Sequence, residues 1–368
     1  MMIDRRLVSH FDWWQLLLVF ILAGVGVASI YSAAEPGARG LGQIFAVKQA
    51  IWFGLGLMVM ALVFSFHYHF MDRWVWIIYI LTVLSLAWVL VFGKTVSGSQ
   101  RWISLGPLAF QPSETAKLTA VIVLAHFYSR SGSASGLGLR EIALPAALLF
   151  VPFLLILAQP DLGTGMVMAI IAASMTFYAG IRRRTLVFLV SCGLVALPLL
   201  YMNLKDYQKE RIKTFLDPDR DPLGAGYHII QSKIAIGSGM FSGKGYMEGS
   251  QKALSFLPEQ HTDFIFAVLS EEWGLLGATA LLILFFAFLW RGLNAGYQSK
   301  DPFGSYVCVG VVSYFFWQVF INTGMVMGIL PVVGVPLPFI SYGGSSMLVA
   351  MMGVGMIQNV GMRRFSYD

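Results

Sequence analysis

The chain has 368 residues, of which 57% are hydrophobic and only 12% charged, and its mean hydropathy is +0.71. The apolar residues come in blocks near the ~20 that a helix needs to cross a bilayer, which excludes a soluble globular domain and predicts a polytopic membrane protein. The net charge of +6 comes from 25 basic and 19 acidic residues, and its excess falls in short loops on one predicted side, so membrane orientation explains it without a nucleic-acid partner.

In chain order, spans are expected near 12–33, 46–66, 74–92, 114–128, 141–159, 162–180, 185–203, 264–290, 304–328 and 341–360. The expected fold is therefore an all-α helix bundle of about ten transmembrane helices, a single domain over 1–368. The first block follows Arg5 and Arg6 and ends in Ser32, Ala33 and Ala34, as a cleavable signal peptide does. It is nevertheless long enough to span, and Trp13 and Trp14 sit where an interfacial aromatic belt holds a retained anchor, which is the expectation. Both termini then share one face, and Arg73, Arg130, Arg140, Arg182, Arg183, Arg184, Arg291, Lys300, Arg363 and Arg364 mark it as cytoplasmic.

The longest polar segment, 204–263, falls between the seventh and eighth spans and is extracytoplasmic in this topology. The loop 94–114, the turn 159–163 and the loop 330–346 share its side, so four polar segments converge on one face. Ser129 to Gly138 reads as a plain flexible linker. The eighth span starts either near Phe264 or, because Glu271 and Glu272 interrupt it, near Trp273. Cys192 and Cys308 lie in apolar blocks and imply no disulfide, and the histidines share no metal-ligand spacing.

Several groups on the extracytoplasmic side can carry chemistry. Asp263 follows Pro258 and precedes a long apolar run, and an ionisable group beside hydrocarbon is either a helix cap or functional. Glu114 and Lys117, three apart, share a helix face as a structural bridge, or else Lys117 joins Arg101 and Lys48 in binding the phosphates of an anionic ligand. Asp161 in QPDLGTG favours a capping role after Pro160. The run His228 to Gln251 sets Gly237, Gly239, Gly243 and Gly245 beside Lys233 and Lys244, for close backbone approach or for mobility, without P-loop spacing. Leu330 to Ser346, with Pro331, Pro336 and Pro338, reads as a re-entrant or surface-hugging segment.

Five stretches together resemble the SEDS family of bacterial membrane glycosyltransferases, most closely its RodA or elongation branch. They are GSQRWISLGPLAFQPSETAKL (98–118), QPDLGTG (159–165), YHIIQSKIAIGSG (227–239), FLPEQHTDFIFAVLSEEWG (256–274) and INTGMVMGILPVVGVPLPFISYGGSS (321–346). The resemblance implies a peptidoglycan glycosyltransferase of the bacterial cytoplasmic membrane that polymerises lipid II into β1,4-linked glycan during cell elongation. It implies Asp263 as the catalytic residue and Lys48, Arg101, Glu114, Lys117, Asp161 and Lys233 as substrate-binding. In the implied reaction Asp263 deprotonates the acceptor GlcNAc 4-hydroxyl, which attacks the donor MurNAc anomeric carbon with inversion. Lys117, Arg101 or a divalent cation, Mg or Mn, stabilises the departing diphosphate, and no other cofactor is implied. The implied partners are a class B penicillin-binding protein and elongation-complex proteins. The alternatives are an FtsW-like division or sporulation relative with the same chemistry, a lipid II flippase, and a scaffold without chemistry.

Overall fold

The structure is a computed structural model that describes residues 9–34, 41–96, 99–105, 108–131, 136–203, 206–218, 225–249 and 261–364. Arg5, Arg6, Pro258 and part of the 129–138 linker lie outside the described residues.

Each expected span meets a helix. These are α1 (Trp13–Ala34), α2 (Leu41–Ser65), the short α3 (His69–Arg73), α4 (Val75–Phe92), α5 (Pro112–Arg130), α6 (Leu139–Ala158), α7 (Leu162–Tyr178) and α8 (Arg183–Asn203). After them come α9 (Asp206–Leu216), α10 (Ala225–Ser238), α11 (Ile265–Gln298), α12 (Pro302–Val326) and α13 (Gly344–Arg363). Among the described residues, seven helices (α1, α2, α4, α6, α11, α12 and α13) are long and apolar enough to cross a bilayer. The chain is a multi-pass membrane protein. Trp13 and Trp14 are exposed at the start of α1, as belt residues should be, and much of α8 is exposed along its length.

Helices α5, α12 and α13 form the centre, with Val121, Val311, Phe315 and Val354 fully buried. Lipid tails are as apolar as leucine, so burial of leucine adds little driving force between these helices, and polar pairs do more of the joining. Thr82 and Thr119 join α4 to α5 at 2.9 Å, Tyr128 and Thr176 join α5 to α7 at 2.7 Å, and Trp317 donates to Ser174 at 2.8 Å.

Two regions carry more structure than the sequence suggests. The 94–111 loop holds a small antiparallel sheet, β1 (Lys94–Val96), β2 (Ser99–Leu105) and β3 (Leu108–Phe110), in the order β1-β2-β3. Lys94 pairs with Trp102 and Ile103 with Phe110, in strands too short for alternation to reveal. The long 204–263 segment folds into α9 and α10, and Ser232 of α10 donates 2.8 Å to the carbonyl of Val326 at the end of α12.

Helix α11 resolves the two expected starts by containing both. It begins at Ile265 but breaks at Gly274, whose φ of 64° and ψ of −161° suit glycine alone. The glycine-rich stretch 239–249 wraps the break as a strap. Lys244 and Gly245 donate 3.0 Å each to the carbonyls of Glu271 and Glu272, while Leu275 and Leu276 donate 2.9 and 3.1 Å to those of Met240 and Phe241. Gly243 has φ 81°, and a Cβ there would sit 2.1 Å from the Glu272 carbonyl oxygen. The close backbone approach that these glycines permit is thus to the protein itself.

Candidate active site

Four segments meet at one end of the bundle, and each contact has a local cause. Between α12 and α13 the chain runs without helix from 327 to 343, yet Val335, Leu337, Phe339, Ile340 and Ser341 are buried. Irregular backbone at membrane depth is stable only when protein satisfies its polar groups. Here Asn322 donates 2.8 Å to the Val335 carbonyl, Gln49 donates 3.1 Å to that of Ser341, and the Ser341 hydroxyl accepts from the Leu337 amide at 2.8 Å. The re-entrant expectation for 330–346 is met by a plug seated inside the protein.

Asp263 stands against this plug. A Cβ built on Gly334 would come within 3.4 Å of Asp263 Oδ2, and Asn322 Nδ2 donates 3.0 Å to the Asp263 carbonyl. On either side, the Ser341 hydroxyl donates 2.7 Å to the Thr262 carbonyl and the Tyr342 amide donates 2.9 Å to that of His261. His261 stacks on Phe45 of α2 with ring centroids 4.9 Å apart, and the rings of Phe264 and His228 of α10 lie tilted with centroids 6.0 Å apart. Asp263 is half-buried, and the N-cap position of α11 belongs to Phe264, which caps nothing with its side chain. The N-cap position itself is thus taken by an apolar residue one place after Asp263.

The QPD turn approaches the same plug from the other side, since a Cβ on Gly163 would lie 2.3 Å from the Val333 carbonyl oxygen. Asp161 is buried and caps α7, accepting from the Thr164 amide at 3.3 Å, and its other oxygen accepts from Ser113 at 3.2 Å and Gln111 at 3.3 Å. Arg101 of β2 grips this turn: Nε donates 3.1 Å to the Gln159 carbonyl, Nη2 donates to that of Pro160, and Nη1 stands 3.7 Å from Asp161. Its guanidinium thus ties the sheet to the α6–α7 turn.

Glu114 and Lys117 form a 2.8 Å ion pair with side chains 5% and 1% exposed, and the Lys117 ammonium stands 5.2 Å from the centre of the Tyr314 ring. Burial this complete makes the pair an internal strut of α5 against α12. Lys48 and Lys233 differ from it in being exposed, and neither makes a hydrogen bond or ion pair among the described residues. Lys48 lies on α2 between Phe45 and Gln49, which both touch the plug region, and Lys233 crosses Gly328, where an added Cβ would lie 2.8 Å from its Nζ.

The structure thus brings Asp263, Asp161 and Arg101 around one plug, packs Glu114 with Lys117 nearby in sequence but inside the bundle, and leaves Lys48 and Lys233 exposed beside it. Sequence reasoning missed Asn322, Gln49 and the pairing of Lys244 with Glu271 at 2.6 Å. Asn322 and Gln49 were detectable as lone polar residues inside apolar blocks. Among the described residues, no group of three His, Cys, Asp or Glu side chains is placed to hold a metal.

Comparison with known proteins adds an independent finding. Residues 11–365 match the FtsW, RodA and SpoVE family, whose description is cell cycle protein. Peptidoglycan glycosyltransferase MrdB of Escherichia coli (strain K12) is 41% identical over 356 residues, covering 95% of this chain and 93% of that protein. A chain from a solved peptidoglycan synthase complex that coordinates polymerization and crosslinking superposes with a TM-score of 0.83 at 31% identity, covering 97% of this chain and 99% of that one. The crystal structure of the rod shape determining protein RodA of Thermus thermophilus superposes with a TM-score of 0.71 at 28% identity, covering 97% and 98%.

Proposed function

Because the chain belongs to the FtsW, RodA and SpoVE family, we infer that it is a peptidoglycan glycosyltransferase, one that polymerises lipid II into β1,4-linked glycan strands during cell elongation. The enzyme sits in the bacterial cytoplasmic membrane with both termini cytoplasmic and the Asp263 face outside. The distribution of arginines supports that orientation. A class B penicillin-binding protein crosslinks the strands it makes, a reading supported by the likeness to a chain of a peptidoglycan synthase complex.

Asp263 is the general base. Its half-exposed carboxylate stands beside Gly334 at the mouth of the bundle, and the backbone on both sides of it is fixed by Asn322 and Ser341. This is the observation that carries the mechanism, because a base held by its backbone keeps its reach to an acceptor hydroxyl. The hydroxyl passes its proton to Asp263 and attacks the donor anomeric carbon as the C–O bond to the diphosphate breaks, so the product inverts to β. Lys48 and Lys233 supply the cations that meet the diphosphate, since their ammonium groups are exposed, whereas Lys117 is committed to Glu114 and Arg101 to the QPD turn. Arg101, Glu114, Lys117 and Asp161 act on substrate by holding the walls.

A divalent cation, Mg or Mn, would add charge neutralisation at the diphosphate. Among the described residues, Asp161 at the plug is committed to capping α7 and to Ser113 and Gln111, so Asp263 is the carboxylate that would hold the cation, with diphosphate oxygens and water completing its ligands.

The test is glycan polymerisation from lipid II by the purified chain with its partner protein. Asp263→Ala is expected to insert and fold normally and to make no polymer. Wild-type turnover by that variant would remove Asp263 from the chemistry.

A further inference from the structure

At the end of the bundle opposite Asp263 lies a cavity of about 630 Å³, a volume typical of small-molecule sites. It is formed where the 66–73 connection between α2 and α4, the 299–302 connection between α11 and α12, and the end of α13 meet. The unbroken part of α11 beyond Gly274, 275–298, runs about 36 Å toward this end at 1.5 Å per residue, so the two sites are separate.

The lining is strongly basic. Among the described residues, Arg73, Lys300, Arg363 and Arg364 contribute four guanidinium or ammonium groups, with His67 and His69 beside them, against one carboxylate, Asp301. Asp301 is already engaged: it caps α12 by accepting from the Gly304 amide at 3.0 Å, and it stands 3.6 Å from His69. Arg363 is only 8% exposed, and among the described residues its guanidinium is hydrogen-bonded to neutral acceptors, the Phe64 carbonyl at 3.1 Å and the Asn359 side-chain oxygen. A buried cation without a carboxylate is costly, and an anion in the cavity removes that cost.

One wall is apolar, and it leads somewhere. Phe66, His67 and Phe70 line both this cavity and a second one of about 510 Å³ that extends between α2, α4, α5 and α13 past Leu81, Leu118 and Ile122. A basic chamber opening into a hydrocarbon-lined cleft matches an amphiphile with a phosphate head and an acyl chain.

We propose that this paired cavity is a binding site for an anionic phospholipid, with the phosphate among Arg73, Lys300, Arg363 and Arg364 and an acyl chain along Phe66 and Phe70. Basic pockets between membrane helices are suited to such head groups, since each cation near the surface adds to the attraction for an anionic lipid. The site goes beyond the glycosyltransferase reading and does not depend on it.

The test uses the full chain taken from vesicles of mixed phosphatidylglycerol and phosphatidylethanolamine, with retained lipid counted by native mass spectrometry. Wild type is expected to retain phosphatidylglycerol preferentially. Arg73→Gln with Lys300→Gln, both at exposed positions so that folding is preserved, is expected to lower that retention about tenfold or more. Arg183→Gln with Arg184→Gln, exposed at the start of α8 on the same face but outside the cavity, is expected to leave it unchanged. Equal loss in the two double variants, or no loss in the first, overturns the site. Displacement of the lipid by soluble glycerol phosphate as readily as by phosphatidylglycerol overturns its assignment to a lipid.

Discussion

Asn322 ties the backbone of Asp263 to that of Val335, donating 3.0 Å to one carbonyl and 2.8 Å to the other from a single amide nitrogen. One side chain of α12 thus sets the distance between the start of α11 and the plug. Asn322→Ala removes this donor from the buried Val335 carbonyl and the part-buried Asp263 carbonyl, the buried one alone costing about 1–3 kcal/mol. Polymerisation is expected to fall tenfold or more while the protein still inserts, and unchanged turnover would show that the tie does not position Asp263.

Arg101 separates charge from geometry. Arg101→Lys keeps the positive charge but cannot reach the Gln159 and Pro160 carbonyls together with Asp161. Both Arg101→Lys and Arg101→Gln are therefore expected to reduce activity by similar factors of about tenfold. Full activity in the lysine variant alone would assign the residue to phosphate binding.

The buried pair Glu114 and Lys117 makes a stability prediction. Breaking it from one side, by Lys117→Met or Glu114→Gln, strands a group that was matched and is expected to cost about 3–5 kcal/mol for the charge left behind. The double variant Glu114→Gln with Lys117→Met is expected to be closer to wild type than Lys117→Met is. Thermal unfolding in detergent checks the ordering, and simple additivity would deny the strut.

A second, less buried pair predicts a functional loss. Lys244→Met removes the 2.6 Å bridge from the strap to Glu271, beside the break in α11. Glycan output is expected to fall severalfold, with partial recovery when Glu271→Gln is added. Output equal to wild type in Lys244→Met would mean that the backbone bonds of the strap suffice.

On the opposite face, Asp72 accepts from Arg130 at 2.9 and 2.7 Å and lies 2.7 Å from His126. Burial pushes its carboxyl up, but the hydrogen bonds from Arg130 and His126 outweigh that and hold it below its ordinary value. A depressed carboxyl adds stability that is full above its unfolded value and is lost as pH falls through its folded value. Arg130→Gln is expected to move the acid loss of stability to higher pH, read as the midpoint of an acid titration of unfolding. An unmoved midpoint would contradict this.

Much of the scaffold was legible because membrane-spanning helices advertise themselves by length and composition. The two candidate starts of the eighth span, Phe264 and Trp273, were readable from Glu271 and Glu272, but their reconciliation was not: it depends on a positive φ at Gly274 and on a strap distant in sequence. Asp161 as a cap and Glu114 with Lys117 as a bridge follow from local spacing, and they appear as expected. The grip of Arg101 on residues 159–161 did not follow, since nothing local pairs a strand with a turn 58 positions away. The tie from Asn322 is equally long-range in character, and only its isolation in an apolar helix hinted at it. Sequence spacing reports neighbours along an element, whereas the plug is assembled from elements that meet only in the fold.

The break at Gly274 has a mechanical meaning. A continuous helix would act as a lever, so that any tilt of its bilayer portion swung Asp263 through an arc. With the rod cut, the strap 239–249 bridges the two pieces, bonding Glu271 and Glu272 on one side of the break and Leu275 and Leu276 on the other, while Asn322 and Ser341 hold the 262–263 end to the plug. The carboxylate is thereby set off from the long bilayer portion of its own helix, and its place is fixed by the plug and the strap that flank the break.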